Sequence, residues 1–239
     1  MTTLNITFTK PWLVAAAARW ISTEQTRYYI CGVSIQRAPQ GGLYIVSTDG
    51  HRMSVGYDEL GTIEDGTDNP AALFAVADKK HWTEFAKADA ATITGDTVHF
   101  HNTLKGLPTA DLTQWKKPHA VALADHIDGS FPDWAHVVPD MSRATASAAS
   151  AFNPAYLADL GPMAKVLRCD GCARSDRAYA PSRVQITGIT PDSPALIRFG
   201  SVSDWFGVLM PVVDRHAPSL AGTPDWTPEI GRASCRERV

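Results

Sequence analysis

Two short stretches of this chain decide its fold: Arg27-Tyr28-Tyr29-Ile30-Cys31-Gly32-Val33 and Ser47-Thr48-Asp49-Gly50-His51-Arg52-Met53. The first begins a run with the two-residue periodicity of a strand, residues 29–36, which the turn-forming residues 39–42 end. Residues 43–48 return as its antiparallel partner, and Asp49-Gly50 makes a tight turn into a third strand at 52–57. The sequence therefore predicts a three-stranded antiparallel meander.

A strand and a helix precede this meander. Residues 4–8 alternate as a half-buried strand, Thr9 and Pro11 signal a helix start, and apolar residues then recur at helical spacing up to Trp20. The same order restarts after an acidic connector at residues 58–70. A strand at 72–76 leads to a helix that Asp78 caps and that carries Trp82, Phe85 and Ala86 on one face. Strands predicted at 91–94 and 97–101 flank Gly95-Asp96 as a hairpin, and a further strand is predicted at 120–124.

A third pass begins near Ala144. Asn153 is the predicted N-cap of its helix, Pro154 occupies the favoured first helical position, and Pro162 introduces a kink. Strands follow at 183–186, 195–199 and 205–210. Three such passes predict an α+β fold of repeated modules, in each of which a helix packs on a small antiparallel sheet.

The composition excludes several classes of protein. The chain has 239 residues, 44% of them hydrophobic, and a formal net charge of −3, so it does not coat DNA through overall basicity. No apolar run approaches the length of a membrane span, and the N-terminus lacks the pattern of a secretory signal. We therefore expect a cytoplasmic protein with no membrane association, whose four cysteines are reduced thiols.

The quoted stretches resemble the middle domain of bacterial DNA polymerase III beta subunits, the beta sliding clamps, whose pattern is RYYLNG followed by a TDGHRL turn. Further on, Asp128-Gly129-Ser130-Phe131-Pro132-Asp133-Trp134 with Val137-Val138-Pro139 resembles the DGRFPDY and VLP motifs of that domain. Phe152-Asn153-Pro154-Ala155-Tyr156-Leu157 and Val208-Leu209-Met210-Pro211 are similar to the C-terminal motifs FNxxYL and VMP. These motifs follow one another in the order of the family.

The resemblance implies a reduced clamp with no counterpart of the family's first domain, and this reduction suggests a phage or mobile-element version. Residues 1–140 correspond to the middle domain, and residues 141–216 to the second half of the C-terminal domain. Residues 217–239 form a tail, of which 230–239 (IGRASCRERV) look like translated sequencing adaptor. The alternative is that these last residues are a genuine basic tail.

The function that the resemblance implies is that of a non-enzymatic processivity factor without cofactors. Its expected partners are double-stranded DNA, a DNA polymerase and other proteins with clamp-binding linear motifs, a clamp loader, and further copies of itself in a homo-oligomer. The reduced length leaves an alternative open, in which the chain is a peptide-binding adaptor or decoy that does not encircle DNA.

The resemblance also implies two sets of site residues. Arg27, Tyr28 and Tyr29 match positions that touch DNA. The cations near the predicted helices suggest a positive inner surface, and they are Lys10, Arg19, Lys79, Lys80, Lys87, Lys165 and Arg168. The second set forms a groove for partner peptides. Its residues are Ile30, Thr48, Gly50, His51, Arg52, Met53, Pro139, Asn153, Tyr156, Met210 and Pro211. Met and Pro offer adaptable apolar surface for a Leu or Phe anchor, and Asn153 can bond an extended backbone.

An enzyme is the alternative from a different class. Its most specific form is a metal site built from His99 and His101 with Asp49, His51 or the Cys169/Cys172 pair. A lone CxxC without a second pair at zinc-finger spacing is a weak signal, and the pair falls in an irregular insertion at 168–181 that we expect to be exposed. No catalytic glycine or nucleophile motif occurs in the sequence.

Overall fold

The fold is described from a computed structural model. It describes residues 3–68, 70–76, 80–105, 108–140, 142, 151–169, 181 and 183–212. The strands are β1 (Asn5–Phe8), β2 (Val33–Arg37), β3 (Leu43–Thr48), β4 (Arg52–Asp58), β5 (Thr62–Glu64), β6 (Ala71–Val76), β7 (Ala90–Thr94), β8 (Thr97–His101), β9 (Ala120–His126), β10 (Val184–Gly188), β11 (Ala195–Phe199) and β12 (Trp205–Leu209). The α-helices are α1 (Trp12–Ala17), α2 (Lys80–Lys87), α3 (Pro154–Ala158) and α4 (Leu160–Val166).

The strands form a continuous antiparallel sheet in the order β10-β11-β12-β4-β3-β2-β6-β9-β8-β7-β1-β5. The first two passes exchange their first strands. β1 pairs with β7 of the second pass, and β6 pairs with β2 of the first. The strands of each pass therefore pair with a strand from the other pass, so the two passes form one unit rather than two independent modules.

The core lies between this sheet and the helices. Phe85 of α2 packs edge-to-face on Phe100 of β8, with ring centroids 4.8 Å apart. α1 is buried along its whole length, because apolar residues occupy every one of its positions. Burial of each large apolar side chain stabilises the fold by about 1.5–3 kcal/mol. The prediction of an α+β fold is confirmed.

The third pass is joined to the first by strand pairing. β12 is antiparallel to β4, with Trp205 opposite Gly56 and Leu209 opposite Arg52. Trp205 packs on Trp20 with centroids 5.8 Å apart, and its indole N–H donates to the hydroxyl of Ser54 over 2.8 Å. The sheet thus continues from residues 1–140 into residues 141–216, and the boundary between them stays a prediction.

Some predicted elements were wrong in their bounds. Residues 29–32 are not strand, because Gln25–Ile30 form a 3₁₀ turn and β2 begins only at Val33. The helix of the third pass breaks at Asp159, and Pro162 lies in the first turn of α4, where its missing N–H costs nothing. β5 lies within the stretch 58–70 that was predicted as a connector. Asp78, Ala144 and Cys172 lie outside the described residues.

Candidate peptide-binding groove

A groove of about 300 Å³ lies where the ends of β3, β4 and β12 meet the turn Gln25–Ile30. It is lined by nine of the residues that the sequence predicted for the peptide or DNA sites: Arg27, Tyr29, Ile30, Thr48, Gly50, His51, Arg52, Met53 and Met210. They come from three separate parts of the chain, and the fold brings them together.

The turn between β3 and β4 is shaped by its own polar side chains. The carboxylate of Asp49 accepts hydrogen bonds from the backbone N–H of His51 and Arg52, at 2.9 and 3.0 Å. Gly50 has a φ of 91°, which side-chain-bearing residues rarely adopt. The backbone N–H of Met210 donates to the carbonyl of His51 over 2.9 Å. This bond fixes the end of β12 against the turn.

The floor of the groove is apolar. Met53 and Val208 are buried, and they form a small core on this face of the sheet with Val46 and Val55. Met210 is 38% exposed and therefore available to a ligand. A flexible thioether beside fixed apolar atoms can accommodate a leucine or phenylalanine side chain.

Arg52 and Met53 are neighbours on β4 and point to opposite faces of the sheet. The guanidinium of Arg52 lies 2.9 Å from Asp49 and 2.7 Å from Asp159. It also stacks over the rings of Trp20 and Tyr156, at 5.2 and 4.8 Å from their centroids. Arg52 is therefore engaged on all sides within the protein, and its contribution to the groove is mainly to hold the walls together.

Four predicted groove residues do not line the cavity: Pro139, Asn153, Tyr156 and Pro211. Tyr156 adjoins it, since its ring stacks on His51 with centroids 5.8 Å apart and planes inclined by 24°. Asn153 caps α3, where its side-chain oxygen accepts from the N–H of Ala155 over 2.9 Å. The predicted N-cap is confirmed, while a contact of Asn153 with a peptide stays a prediction.

One wall of the groove was not predicted from the sequence. It is formed by the segment 131–137, from which Phe131, Pro132, Trp134 and Val137 line the cavity. Phe131 and Trp134 pack on the buried residues Val46, Met53, Val55 and Val208. The indole N–H of Trp134 donates to Gln36 over 3.2 Å. Two aromatic residues and a proline within four positions were the signal that could have pointed to this wall.

The sequence and the fold of this chain were compared with those of known proteins. No protein-family model matches the chain. The beta sliding clamp of Caulobacter vibrioides is 29% identical over 125 residues, which are 50% of this chain and 29% of the relative. The DnaN sliding clamp (DNA polymerase III subunit beta) of Bartonella birtlesii, solved with griselimycin bound, superposes with a TM-score of 0.57 at 20% identity, over 89% of this chain and 66% of that one. The chain has the beta sliding clamp fold.

A second clamp, the DNA polymerase III beta subunit of Thermotoga maritima, superposes with a TM-score of 0.54 at 12% identity, over 89% of this chain and 66% of that one. The resemblance to beta sliding clamps is thus confirmed in sequence for half of the chain and in fold for most of it. The chain matches under a third of the length of its curated relative and under two thirds of these two structures.

Within this clamp fold, the three residues predicted to touch DNA are not set apart from the groove. Arg27 and Tyr29 line it. The guanidinium of Arg27 is paired with Glu24 and fills the space beside Gly50, where a Cβ would lie 2.7 Å from Nη1. Tyr28 is 51% exposed and packs edge-to-face on Tyr29 at 5.9 Å. Both tyrosines lie in the 3₁₀ turn Gln25–Ile30 rather than in a strand.

Several of the cations expected on a positive inner surface of the clamp fold are paired with carboxylates. The pairs are Lys10 with Asp204 at 3.2 Å, Arg19 with Asp159 at 3.6 Å, Lys87 with Glu84 at 2.8 Å and Arg168 with Asp89 at 3.6 Å. Arg168 also stacks over Trp12 at 4.1 Å. Lys79 lies outside the described residues. These four charges are balanced locally, and a positive inner surface near the helices stays a prediction.

The residues considered for a metal site have other surroundings in the structure. His101 contacts the Lys116 carbonyl at 3.1 Å and the Trp115 ring at 5.1 Å. Burial lowers the pKa of His101. Among the described residues, no three His, Cys, Asp or Glu side chains lie close enough together to hold a metal ion. None of the helices among the described residues has both the length and the apolar composition that crossing a membrane requires.

Proposed function

We propose that this chain is a sliding-clamp-like processivity factor whose groove captures short linear peptides of DNA polymerases and other replication proteins. The observation that carries the proposal is the groove itself. Met53, Val208 and Met210 form an apolar floor, and the turn Thr48–Met53 closes it at one end. A peptide with a Leu or Phe anchor fits this chemistry. In this role the protein acts by holding partners, without chemistry of its own.

The groove is tested with a fluorescent peptide that carries a Gln and a Leu-Phe anchor. We expect micromolar affinity, about −8 kcal/mol, as is usual for a small peptide interface. A peptide with both anchor residues changed to Ala is the control and should bind at least tenfold more weakly. Equal binding of the two peptides would refute an anchor-reading groove.

DNA encirclement is the second part of the proposal, and it requires further copies of the chain in a ring. The association should be topological and salt-sensitive, because the net charge of the chain is −3 and its contacts with phosphates must therefore be local. We expect longer retention on closed circular DNA than on the same DNA after linearisation. Equal retention on both at moderate salt would count against a ring.

Arg27→Ala separates the two roles assigned to that residue. A role in DNA contact predicts weaker retention on circular DNA with unchanged peptide affinity. A role in the groove wall, which its position beside Gly50 supports, predicts weaker peptide binding. Both quantities are measured on the same purified protein, with Tyr28→Ala as the neighbouring variant whose side chain does not line the groove.

The second candidate function is a peptide-binding adaptor that does not encircle DNA. The local balance of Lys10, Arg19, Lys87 and Arg168 by carboxylates favours it, since a clamp needs positive charge around the duplex. Mass in solution discriminates the two. A stable closed oligomer supports the clamp, and a strict monomer that still binds the peptide supports the adaptor. Either role places the protein in the cytoplasm, with the replication machinery and, for a clamp, its loader.

A further inference from the structure

A second pocket lies on the other side of the segment that walls the groove. Its volume is about 640 Å³, and Phe131, Asp133 and Trp134 line both cavities. The ring of Trp134 packs edge-to-face on Tyr44 at 5.3 Å and its N–H is bonded to Gln36, so this wall is held in place from the side of the second pocket. The two cavities are therefore adjacent parts of one surface.

The chemistry of the second pocket differs from that of the groove. Ser34, Gln36, Asp128 and Ser130 supply hydroxyl, amide and carboxylate groups, whereas the groove floor is made of Met and Val side chains. A ligand that filled both would have an apolar part in the groove and a polar part beyond Trp134. A linear peptide with polar residues flanking its anchor has this arrangement.

The charges at the second pocket favour a basic ligand. Asp128 and Asp133 both line it and are both exposed. His136 is 3.5 Å from Asp133, an exposed contact that counts as an ion pair only when the histidine is protonated. Arg37 is the cation of the lining, and its guanidinium donates to the carbonyls of Ile63 and Asp68, at 3.0 and 3.5 Å. These bonds hold the Arg37 charge towards the β5 side of the pocket.

We propose that the second pocket is a subsite for a lysine or arginine that flanks the anchor of the bound peptide. This inference rests on the proposed peptide-binding function and specifies the partner, a linear motif with basic residues next to its apolar anchor. Asp128 is the residue that selects the charge, because its carboxylate lines this pocket and not the groove. The subsite adds specificity more than affinity, since exposed ion pairs contribute modestly.

The test compares anchor peptides extended at either end by Lys-Lys, Ala-Ala or Glu-Glu. We expect the Lys-Lys extension at one end to tighten binding roughly two- to five-fold over Ala-Ala, and the gain to shrink at high salt. Asp128→Lys should reverse this order, so that the Glu-Glu extension binds more tightly than Lys-Lys. Asp192→Lys makes the same charge change in the exposed connection between β10 and β11, and should keep the original order.

Three results would overturn the subsite. The Lys-Lys and Ala-Ala peptides could bind equally at both ends, or the order could survive in Asp128→Lys, or Asp192→Lys could reverse it as well. In each of these the groove itself still stands if the Ala-Ala peptide binds and its anchor-deleted version does not. Failure of the Ala-Ala peptide to bind would instead remove the proposed function, and the subsite with it.

Discussion

The Nη1 atom of Arg52 lies 2.7 Å from the Oδ2 atom of Asp159, a residue 107 positions further along the chain. Arg52 begins β4, and Asp159 separates α3 from α4. The pair therefore joins the turn that closes the groove to the helices of the third pass. Arg52 is only 12% exposed and Asp159 31%, so water screens this pair less than an ordinary surface ion pair.

This ion pair should contribute measurably to stability. Asp159→Asn leaves the guanidinium with one carboxylate fewer in a partly buried site, and we expect the free energy of unfolding to fall by about 1–3 kcal/mol in denaturant titrations. Glu24→Gln, which removes the exposed carboxylate partner of Arg27, is the matched control and should lose clearly less stability than Asp159→Asn, because water and salt screen an exposed pair. Similar losses in the two variants would show that the Arg52–Asp159 pair contributes no more to the free energy of unfolding than an exposed surface pair.

Peptide affinity should depend on the groove floor and its neighbouring stack. Met210→Ala removes apolar contact beneath the anchor, and Tyr156→Ala removes the ring that supports His51. We expect each to weaken binding by roughly 1–2 kcal/mol if it is a hot-spot position, measured by fluorescence anisotropy. Leu112→Ala, at a site that is 67% exposed and does not line the groove, should leave the affinity unchanged. Undiminished binding by both folded groove variants would refute the assignment.

Three glycine substitutions should separate backbone strain from lack of space. Gly50→Ala combines a φ of 91° with a Cβ only 2.7 Å from Arg27, and Gly41→Ala has a φ of 92° with no atom within 4 Å. Each should lose about 1–2 kcal/mol through the left-handed backbone, with the larger loss at Gly50. Gly200→Ala has no positive φ, and its Cβ would make only ordinary contacts at 3.6 Å or more, so its stability should stay within about 0.5 kcal/mol of the wild type. Thermal unfolding ranks the three variants, and a loss at Gly200 as large as at Gly41 would contradict this ranking.

The buried carboxyl of Asp58 should make stability fall as the pH rises. Burial raises its pKa, although hydrogen bonds from Thr9 and from the backbone N–H of Lys10 oppose the shift. The folded protein then holds a proton that the unfolded chain has already lost, so the contribution of Asp58 is full below its ordinary pKa and is lost as the pH rises through the raised one.

Urea titrations of the wild type and Asp58→Asn at a series of pH values isolate this effect, because the other titrating groups are common to both. The free energy of unfolding of the wild type should decline relative to the variant by at most about 1.4 kcal/mol per pH unit. A constant difference between the two proteins across the acidic range would mean that Asp58 keeps its ordinary pKa in the folded state.

The sequence by itself determined most of the elements and the family of folds. Two-residue alternation located β1, the Asp49-Gly50 turn located the β3–β4 hairpin, the Gly95-Asp96 turn located the β7–β8 hairpin, and Asn153-Pro154 located the start of α3. These signals are local, since a strand, a turn or a cap is decided by residues a few positions apart. The order of the motifs then pointed to the clamp fold, because motifs are short patterns of the same local kind.

Only the tertiary structure decided what each site residue contacts. Arg52 and Met53 both line the groove, but the guanidinium of Arg52 also pairs with Asp159 of the third pass, a contact that its position in the sequence does not indicate. The sequence also did not predict that β1 and β6 are exchanged between the passes, or that Phe131 and Trp134 form a wall of the groove. The physical reason is that a strand pairing or a side-chain contact between residues about 100 positions apart depends on how the whole sheet packs. The residues that are close by in the chain do not determine it.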